Sequence, residues 1–340
     1  MQSEKNAAQA GGNSVSINLW YGREQQFGHA GTPQRFVNIL GCVAGPDKIS
    51  KLTFSLNGGM PIQTSVGPNK RRLQNNGDFN IDILVDDLKD GRNIVHIEAA
   101  DEKGRSAAET VVINYTAGKY RDLPAVVDWS TASCISDVAQ VVEGRWQLVD
   151  GGVRIMETGY DRSIVIGDMY WDDYEITVSM TIHSFDVTWH GTPESGHSAA
   201  GIVLRFIGHS NWDGSRPFWG YAPGGAAAWY TFIPEFLPPG TNDYRLAFMV
   251  GADRDIGFRG VDKKGKKMAL GVPYMLKARV QSRERNTSLY FLKAWAADTP
   301  EPVEWDITTS GVKGELTHGA VLLLAHHADV TYGNVTVTPI

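Results

Sequence analysis

In this 340-residue chain, histidines, carboxylates and large aromatic residues that could act together in chemistry are concentrated between positions 173 and 230. Asp173 and Glu175 come first. They stand two apart at the start of a run, 174–183, in which Tyr174, Ile176, Val178, Met180 and Ile182 alternate with polar residues. Strand residues two apart point the same way, so the two carboxylates are expected on one face. Retaining glycoside hydrolysis needs two carboxylates about 5 to 5.5 Å apart, one as acid and one as nucleophile. Thr177 takes the next position on that face and ends the acidic row. The plainer reading makes Asp173 and Glu175 solvated or structural residues at a strand entrance.

The segment that follows is richer. Between 185 and 201 it supplies Asp186, Trp189, His190, Glu194 and His197; after Phe206 come His209, Trp212, Asp213, Arg216, Trp219, Tyr221, Trp229 and Tyr230. Flat aromatic rings take sugar faces by apolar contact, while His, Asp and Arg fix hydroxyls or carboxylates. Trp189, Trp212, Trp219, Tyr221 and Trp229 are therefore the candidate stacking residues, with Arg205, His190 and His209 as polar anchors. The same cleft is suited to catalysis. A hydrolase would draw its acid or nucleophile from Asp173, Glu175 or Glu194. A polysaccharide lyase would use His190, His197 or His209 as base, with Tyr221 and Arg205 beside a uronate whose charge must be neutralised. The small residues at 224–228 let a ligand approach the backbone. The competing reading is a long loop that packs its own aromatics into a satellite core.

Metal chemistry finds less support. The spacing from His190 to His197 to His209 matches no compact ligand set, and no cysteine lies near. His326 and His327 are consecutive on an expected strand, 320–329, and so should face opposite sides. His327 and Asp329 are two apart and are expected to share a face, as an oriented base or a structural hydrogen bond. Arg205 with Lys277, Arg279 and Gln281 forms either a positive floor suited to an acidic polysaccharide or a solvated outer face. The Lys-rich stretch 263–267 reads as a solvated turn. Walker, dinucleotide and nucleophile-elbow motifs are absent.

These residues must be carried by strands. Runs at 201–207, 275–281, 289–295 and 320–329 have apolar residues at strand spacing, and no helical period appears. Upstream, 51–56 alternates through Leu52, Phe54 and Leu56 into an Asn57-Gly58-Gly59 turn. Residues 78–84 alternate through Phe79, Ile81 and Ile83, and 93–100 buries Val95, Ile97 and Ala99. Residues 109–115 close the region. The chain therefore divides into a polar lead, 1–14, a first β-sandwich of seven or eight strands over 15–116, a short polar connector, 116–124, and a larger sandwich over 125–340. So short a connector implies a fixed interface.

Composition sets the class. With 42% apolar and 21% charged residues the chain is an ordinary globular protein, and a net charge of −6 argues against nucleic acid as a partner. No apolar run reaches the eighteen residues of a membrane-spanning helix, and the lead lacks the apolar stretch of a secretory signal. Cys42 and Cys134 fall on either side of the boundary, so whether they pair is a matter of geometry.

Two resemblances follow from these residues. The stretch DLKDGRNIVHIEAADEKGRSAAETVVINY resembles the last strands of the immunoglobulin-like modules common in secreted bacterial proteins, which are mostly spacers. Downstream, YWDDYEITVSMTIH, AGIVLRF, YMLKARVQSRERNTSLYFLKAW, EPVEW and GAVLLLAHHADVTYGNVTVTP resemble, over most of 125–340, the concanavalin A-like lectin and glucanase superfamily in its laminin-G-like branch. LYFLKAWAADTPEPVEW is the most specific part. The resemblance implies a two-sheet jelly roll, polysaccharide or glycan ligands and frequently a calcium ion. In the superfamily's glucanases a Glu, an Asp and a Glu alternate on one strand; here Asp173 and Glu175 are followed by Thr177, and the third carboxylate is missing. The expectation is an all-β chain, an immunoglobulin-like sandwich followed by a concanavalin A-like jelly roll. It would recognise carbohydrate, with a carbohydrate-active enzyme as the alternative and an adhesive protein as the third reading. A secreted, periplasmic or cell-surface setting follows from the resemblance; the oligomeric state does not.

Overall fold

A computed structural model describes residues 13–190, 192, 197–209, 225–233, 243–252, 255–283 and 287–340. The chain is all-β and forms two successive sandwiches.

The N-terminal sandwich contains β1 (Ser16–Leu19), β2 (Glu24–Phe27), β3 (Phe36–Ala44), β4 (Ile49–Leu56), β5 (Ile62–Gln63), β6 (Asp78–Leu84), β7 (Gly91–Asp101) and β8 (Ser106–Tyr115). A three-stranded sheet, β1-β3-β6, packs on a five-stranded one, β2-β8-β7-β4-β5. Alternation decides the faces. Along β7 Val95, Ile97 and Ala99 are buried against Val37, Ile39, Phe79 and Ile81, while Ile94, His96 and Glu98 face solvent. The turn after β4 requires left-handed backbone at Asn57 (φ 51°) and Gly58 (φ 76°), residue types that tolerate it.

The C-terminal sandwich contains β9 (Ala125–Val127), β10 (Gln140–Glu143), β11 (Trp146–Val149), β12 (Gly152–Ile155), β13 (Arg162–Ile166), β14 (Tyr174–Phe185), β15 (Ala199–Phe206) and β16 (Ala226–Phe232). It continues through β17 (Tyr244–Ala252), β18 (Asp255–Val261), β19 (Pro273–Arg283), β20 (Thr287–Ala296), β21 (Ile307–Ser310), β22 (Ala320–His326) and β23 (Ala328–Pro339). A seven-stranded sheet, β10-β13-β22-β15-β16-β17-β18, faces an eight-stranded one, β11-β12-β23-β14-β19-β20-β21, and β9 pairs with β23. Between them lie Ile176, Val178, Met180, Leu276 and Leu292 from one sheet and Ile202, Leu204, Phe248 and Leu323 from the other. The seven-stranded sheet is apolar on its second face too, where Val142, Val165, Val203, Phe206, Trp229, Leu322 and Leu324 are buried. Burial on both faces is why β15 and β22 read as continuous apolar runs rather than alternations.

One expectation fails instructively. Residues 320–329 are not a single strand. β22 and β23 belong to opposite sheets, and the chain passes between them at His327, whose φ is 49°. The His327 N–H donates to Gly159 O (2.8 Å) and its carbonyl accepts from the Asp186 N–H (2.8 Å), so this crossing point is tied to two neighbouring loops. Periodicity cannot register such a break when both flanks are apolar.

The two sandwiches share a built seam. The Arg72 guanidinium lies between Asp82 and Glu143, and Asn80 Nδ2 donates to Glu143 Oε2 (2.9 Å) and Val142 O (2.9 Å). The Tyr21 hydroxyl donates to Gly144 O (3.0 Å) and accepts from Trp146 N (2.8 Å); Trp20 and Tyr21 pack on the C-terminal core. The connector is pinned as well. Trp171 Nε1 donates to Arg121 O (2.6 Å), and the Arg121 guanidinium donates to Val138 O and Val126 O. Cys42 and Cys134 are both free thiols.

Candidate functional site

Six rings converge at one end of the seven-stranded sheet. β22 delivers His326 at its last position, and the chain turn beyond it brings His327 alongside, with ring centroids 4.7 Å apart. The expectation that consecutive histidines diverge is therefore corrected: the positive φ at His327 removes the strand geometry on which it rested. His197, just before β15, lies over His326 (5.0 Å, 29°) and meets the edge of Trp229 from β16 (5.3 Å, 81°). Tyr160, just before β13, contacts His326 edge-on (4.8 Å, 68°), and Trp189 stacks on His327 (4.8 Å, 17°). Gly201 makes room for Trp229, its register partner, because a Cβ at Gly201 would sit 2.3 Å from Ala228 O and 2.7 Å from Trp229 Cβ.

The polar chemistry of this nest is specific. His326 Nδ1 is 2.7 Å from Asp161 Oδ1, and both residues are buried. The His–Asp pair is thus formed by residues far apart in sequence, not by His327 and Asp329; Asp329 instead receives both ends of the Arg154 guanidinium (2.7 and 2.9 Å). Burial pushes the Asp161 carboxyl up to about 7. Burial, aided by the charges of Arg162 and Arg71, pushes His326 down to about 3, and burial with the His326 charge takes His327 down to about 2. The imidazoles are therefore held neutral. Tyr160 lies well above the ordinary phenol range, from burial and then from the Asp161 charge. Both ring nitrogens of His327 and Trp229 Nε1 are buried without a hydrogen-bond partner.

A second aromatic group adjoins the nest. His190 stacks on Phe232 (4.0 Å, 9°) and its Nε2 is 2.8 Å from Ser198 Oγ, which is 2.7 Å from Tyr244 Oη. The short 3-10 turn Val187–Trp189, capped by the Asp186 carboxylate on Thr188 N (3.1 Å), sends Trp189 and His190 to these two neighbouring groups.

Of the residues singled out in the sequence, Trp189, His197 and Trp229 meet in the nest and His190 lies in the adjoining group. His209 is at the inter-sandwich seam instead, 4.0 Å from Glu143 and edge-on to Phe206. Arg205 is no surface anchor. It is 1% exposed, with φ 57°, and its guanidinium donates to Asp172 O, Ser288 Oγ, Leu316 O, Asp173 Oδ1 and Ser282 Oγ. Asp173 is its carboxylate partner and also accepts from Ser282 N (2.8 Å). Glu175 lies on the outer face of the eight-stranded sheet, bound by Arg279 (2.6 Å) and Lys277 (3.2 Å). Lys277 and Arg279 are thus answered by Glu175, with Glu301 on Lys277 as well, and with Arg205 buried no common positive floor forms. Glu194, Trp212, Trp219 and Tyr221 lie outside the described residues.

Sequence reasoning missed Tyr160, Asp161 and Arg71. Tyr160 and Asp161 form part of the turn into β13, where a φ of 49° at Asp161 hides them from any periodic pattern. Among the described residues no group of three or more His, Cys, Asp or Glu is placed to hold a metal ion, and no helix is long and apolar enough to cross a membrane.

No protein-family model matches the sequence, and no curated protein does. Among solved structures, the chain is similar to the exoplasmic/lumenal domain of VIP36 in its Ca2+/Man3GlcNAc-bound form, at 12% identity and a TM-score of 0.41, over 65% of this chain and 91% of that one. It is also similar to a marine PL-14 alginate lyase from Aplysia kurodai (8% identity, TM-score 0.35, 56% of this chain and 83% of that one). A third is a Bacillus subtilis protein of unknown function with a galectin-like fold (10% identity, TM-score 0.32, 59% and 86%). Likenesses this distant assign no role to any residue here.

Proposed function

We propose that the C-terminal sandwich is a carbohydrate-recognition domain of the concanavalin A-like, laminin-G-like kind, presented by an immunoglobulin-like module over 15–116 in a secreted or surface setting. The aromatic and histidine nest is its binding site. One observation carries this reading: rings from Trp189, Tyr160 and Trp229 enclose imidazoles of which His327 keeps both nitrogens buried and unpartnered, as Trp229 keeps its Nε1. Buried polar atoms are almost always satisfied, so a cluster of unsatisfied ones walled by flat rings suits a ligand that offers hydroxyls at its edge and apolar C–H on its face. Saccharides have that character.

A catalytic reading is favoured by a separate observation, the 2.7 Å His326–Asp161 contact beside the Tyr160 phenol. A buried carboxyl raised to about 7 can take up a proton near neutral pH, the neutral imidazole beside it holds it in place, and a phenol alongside can return a proton to a leaving oxygen. That constellation suits elimination from a polysaccharide better than hydrolysis by Asp173 and Glu175, which are engaged by cations.

The test is incubation with a panel of neutral and acidic polysaccharides. Reducing ends, absorbance from unsaturated uronates and retardation in affinity gels are read together. Retardation without products, lost in W189A, supports recognition. Unsaturated products lost in H326A support the catalytic reading. Neither retardation nor products with any polymer refutes both.

A further inference from the structure

The nest includes a cation that arrives from the other sandwich. Arg71 belongs to the loop between β5 and β6, yet its Nη1 donates to the Tyr160 hydroxyl (2.9 Å) and its Cζ stands 5.0 Å from the Tyr160 ring centre. Its charge reaches the His326–Asp161 pair, drawing the Asp161 carboxyl down and the His326 imidazole down. Its neighbour Arg72 is neutralised by Asp82 and Glu143. Arg71 is not: among the described residues it has no ion pair, and its guanidinium donates only through Nη1, to the Tyr160 hydroxyl.

The position is constructed rather than incidental. Asn69 Oδ1 accepts from the backbone N–H groups of Arg71 (2.9 Å) and Leu73 (3.0 Å). Arg162, 1% exposed, donates through Nη2 to Arg71 O (2.8 Å), Arg72 O (2.9 Å) and Tyr160 O (2.7 Å). One buried guanidinium therefore clamps the loop backbone of the N-terminal sandwich to the backbone of Tyr160. Asn75 Nδ2 adds a contact to Glu157 Oε2 (3.0 Å). The backbone of Arg71 is thus anchored while its half-buried guanidinium, without an ion pair among the described residues, keeps donors to spare, and a planar guanidinium matches a carboxylate or sulfate in two-point contact.

We propose that the N-terminal sandwich completes the site, and that its Arg71 reads the anionic group of an acidic glycan lying against Tyr160. This rests on the carbohydrate reading above and adds to it the charge of the ligand and the part played by the second sandwich.

The test uses the full chain in affinity gels containing polygalacturonate, alginate, hyaluronate or heparin, each beside its carboxyl-reduced form (desulfated as well for heparin), with laminarin and a galactan as neutral polymers. Arg71→Ala and Arg71→Gln are compared with Arg92→Ala, which removes an exposed charge from β7. Urea midpoints establish that each variant is folded, and Arg71→Gln keeps a donor for the phenol should Arg71→Ala disturb the loop. The expected result is retardation by at least one acidic polymer, at least tenfold weaker for its neutralised form, at least tenfold weaker for both Arg71 variants, and unchanged for Arg92→Ala. Binding to an acidic polymer that is indifferent to Arg71 overturns the proposal. Binding to neutral polymers only, lost in W189A and untouched in the Arg71 variants, overturns it and leaves the carbohydrate reading standing. Retardation by no polymer overturns both.

Discussion

Replacing Asp161 by Asn should make the stability of the C-terminal sandwich fall more steeply between pH 8 and pH 5 than that of the parent chain. The amide has the shape of the carboxyl and still offers an oxygen to His326 Nδ1, so no cavity opens and the hydrogen bond is kept. What disappears is a titration. In the unfolded chain an Asp titrates near ~3.9 and a His near ~6.5. In the fold, burial raises Asp161 to about 7 and lowers His326 to about 3. A raised carboxyl contributes stability that is fully present below ~3.9 and is lost as pH rises through the folded value near 7; a lowered imidazole costs stability as pH falls below ~6.5. In the parent the two opposing effects largely cancel. At pH 5 the folded Asp161 sits about two units below its titration point while the unfolded one is ionised, and at 1.36 kcal/mol per unit this is worth roughly 3 kcal/mol relative to pH 8. D161N should therefore lose about 3 kcal/mol against the parent between pH 8 and pH 5. Urea denaturation followed by tryptophan fluorescence at both pH values measures it. Parallel pH profiles for parent and D161N would refute the reasoning, since they would mean that the buried carboxyl titrates no differently in the fold.

Further outcomes follow from the same structure. Tyr21→Phe should cost about 1 to 3 kcal/mol in urea midpoints, because it leaves Gly144 O and Trp146 N at the seam without their shared hydroxyl. Trp229→Phe should cost clearly less than Trp229→Ala, at about 3 to 5 kcal/mol for the latter, since the phenyl ring fills most of the space and discards an indole N–H that has no partner; equal losses would show that the N–H is satisfied in solution. Asp173→Asn should destabilise by about 3 kcal/mol by leaving the buried Arg205 without its carboxylate, whereas Glu175→Gln on the outer face should cost no more than about 1 kcal/mol. Neither change should alter glycan retardation, and a loss of retardation in both would return attention to these carboxylates.

Where one face of a strand is buried and the other wet, the pattern could be read directly. β7 runs over Gly91–Asp101 with Val95, Ile97 and Ala99 inward and Ile94, His96 and Glu98 exposed, and β14 buries Tyr174, Ile176, Val178, Met180 and Ile182. The candidate site was legible only in part. Trp189, His197 and Trp229 stood out by residue type and do come together, but type alone could not separate them from His209, which the chain carries to the seam beside Glu143. Arg205 looked like a surface cation because a charged residue in an apolar strand has two explanations, and only its ring of acceptors shows that it is a buried structural one.

The sequence by itself determined that this chain is all-β, because a period of two and the turn residues between runs are local properties of neighbouring side chains. Tertiary structure decided what the chemistry-bearing residues do. The His326–Asp161 pair joins positions 165 residues apart, His327 leaves its strand through a backbone conformation no alternation encodes, and Arg71 enters the nest of one sandwich from a loop of the other. Each depends on sheet order and on the docking of two cores, which are fixed by the sum of many long-range contacts and not by the spacing of any residues along the chain.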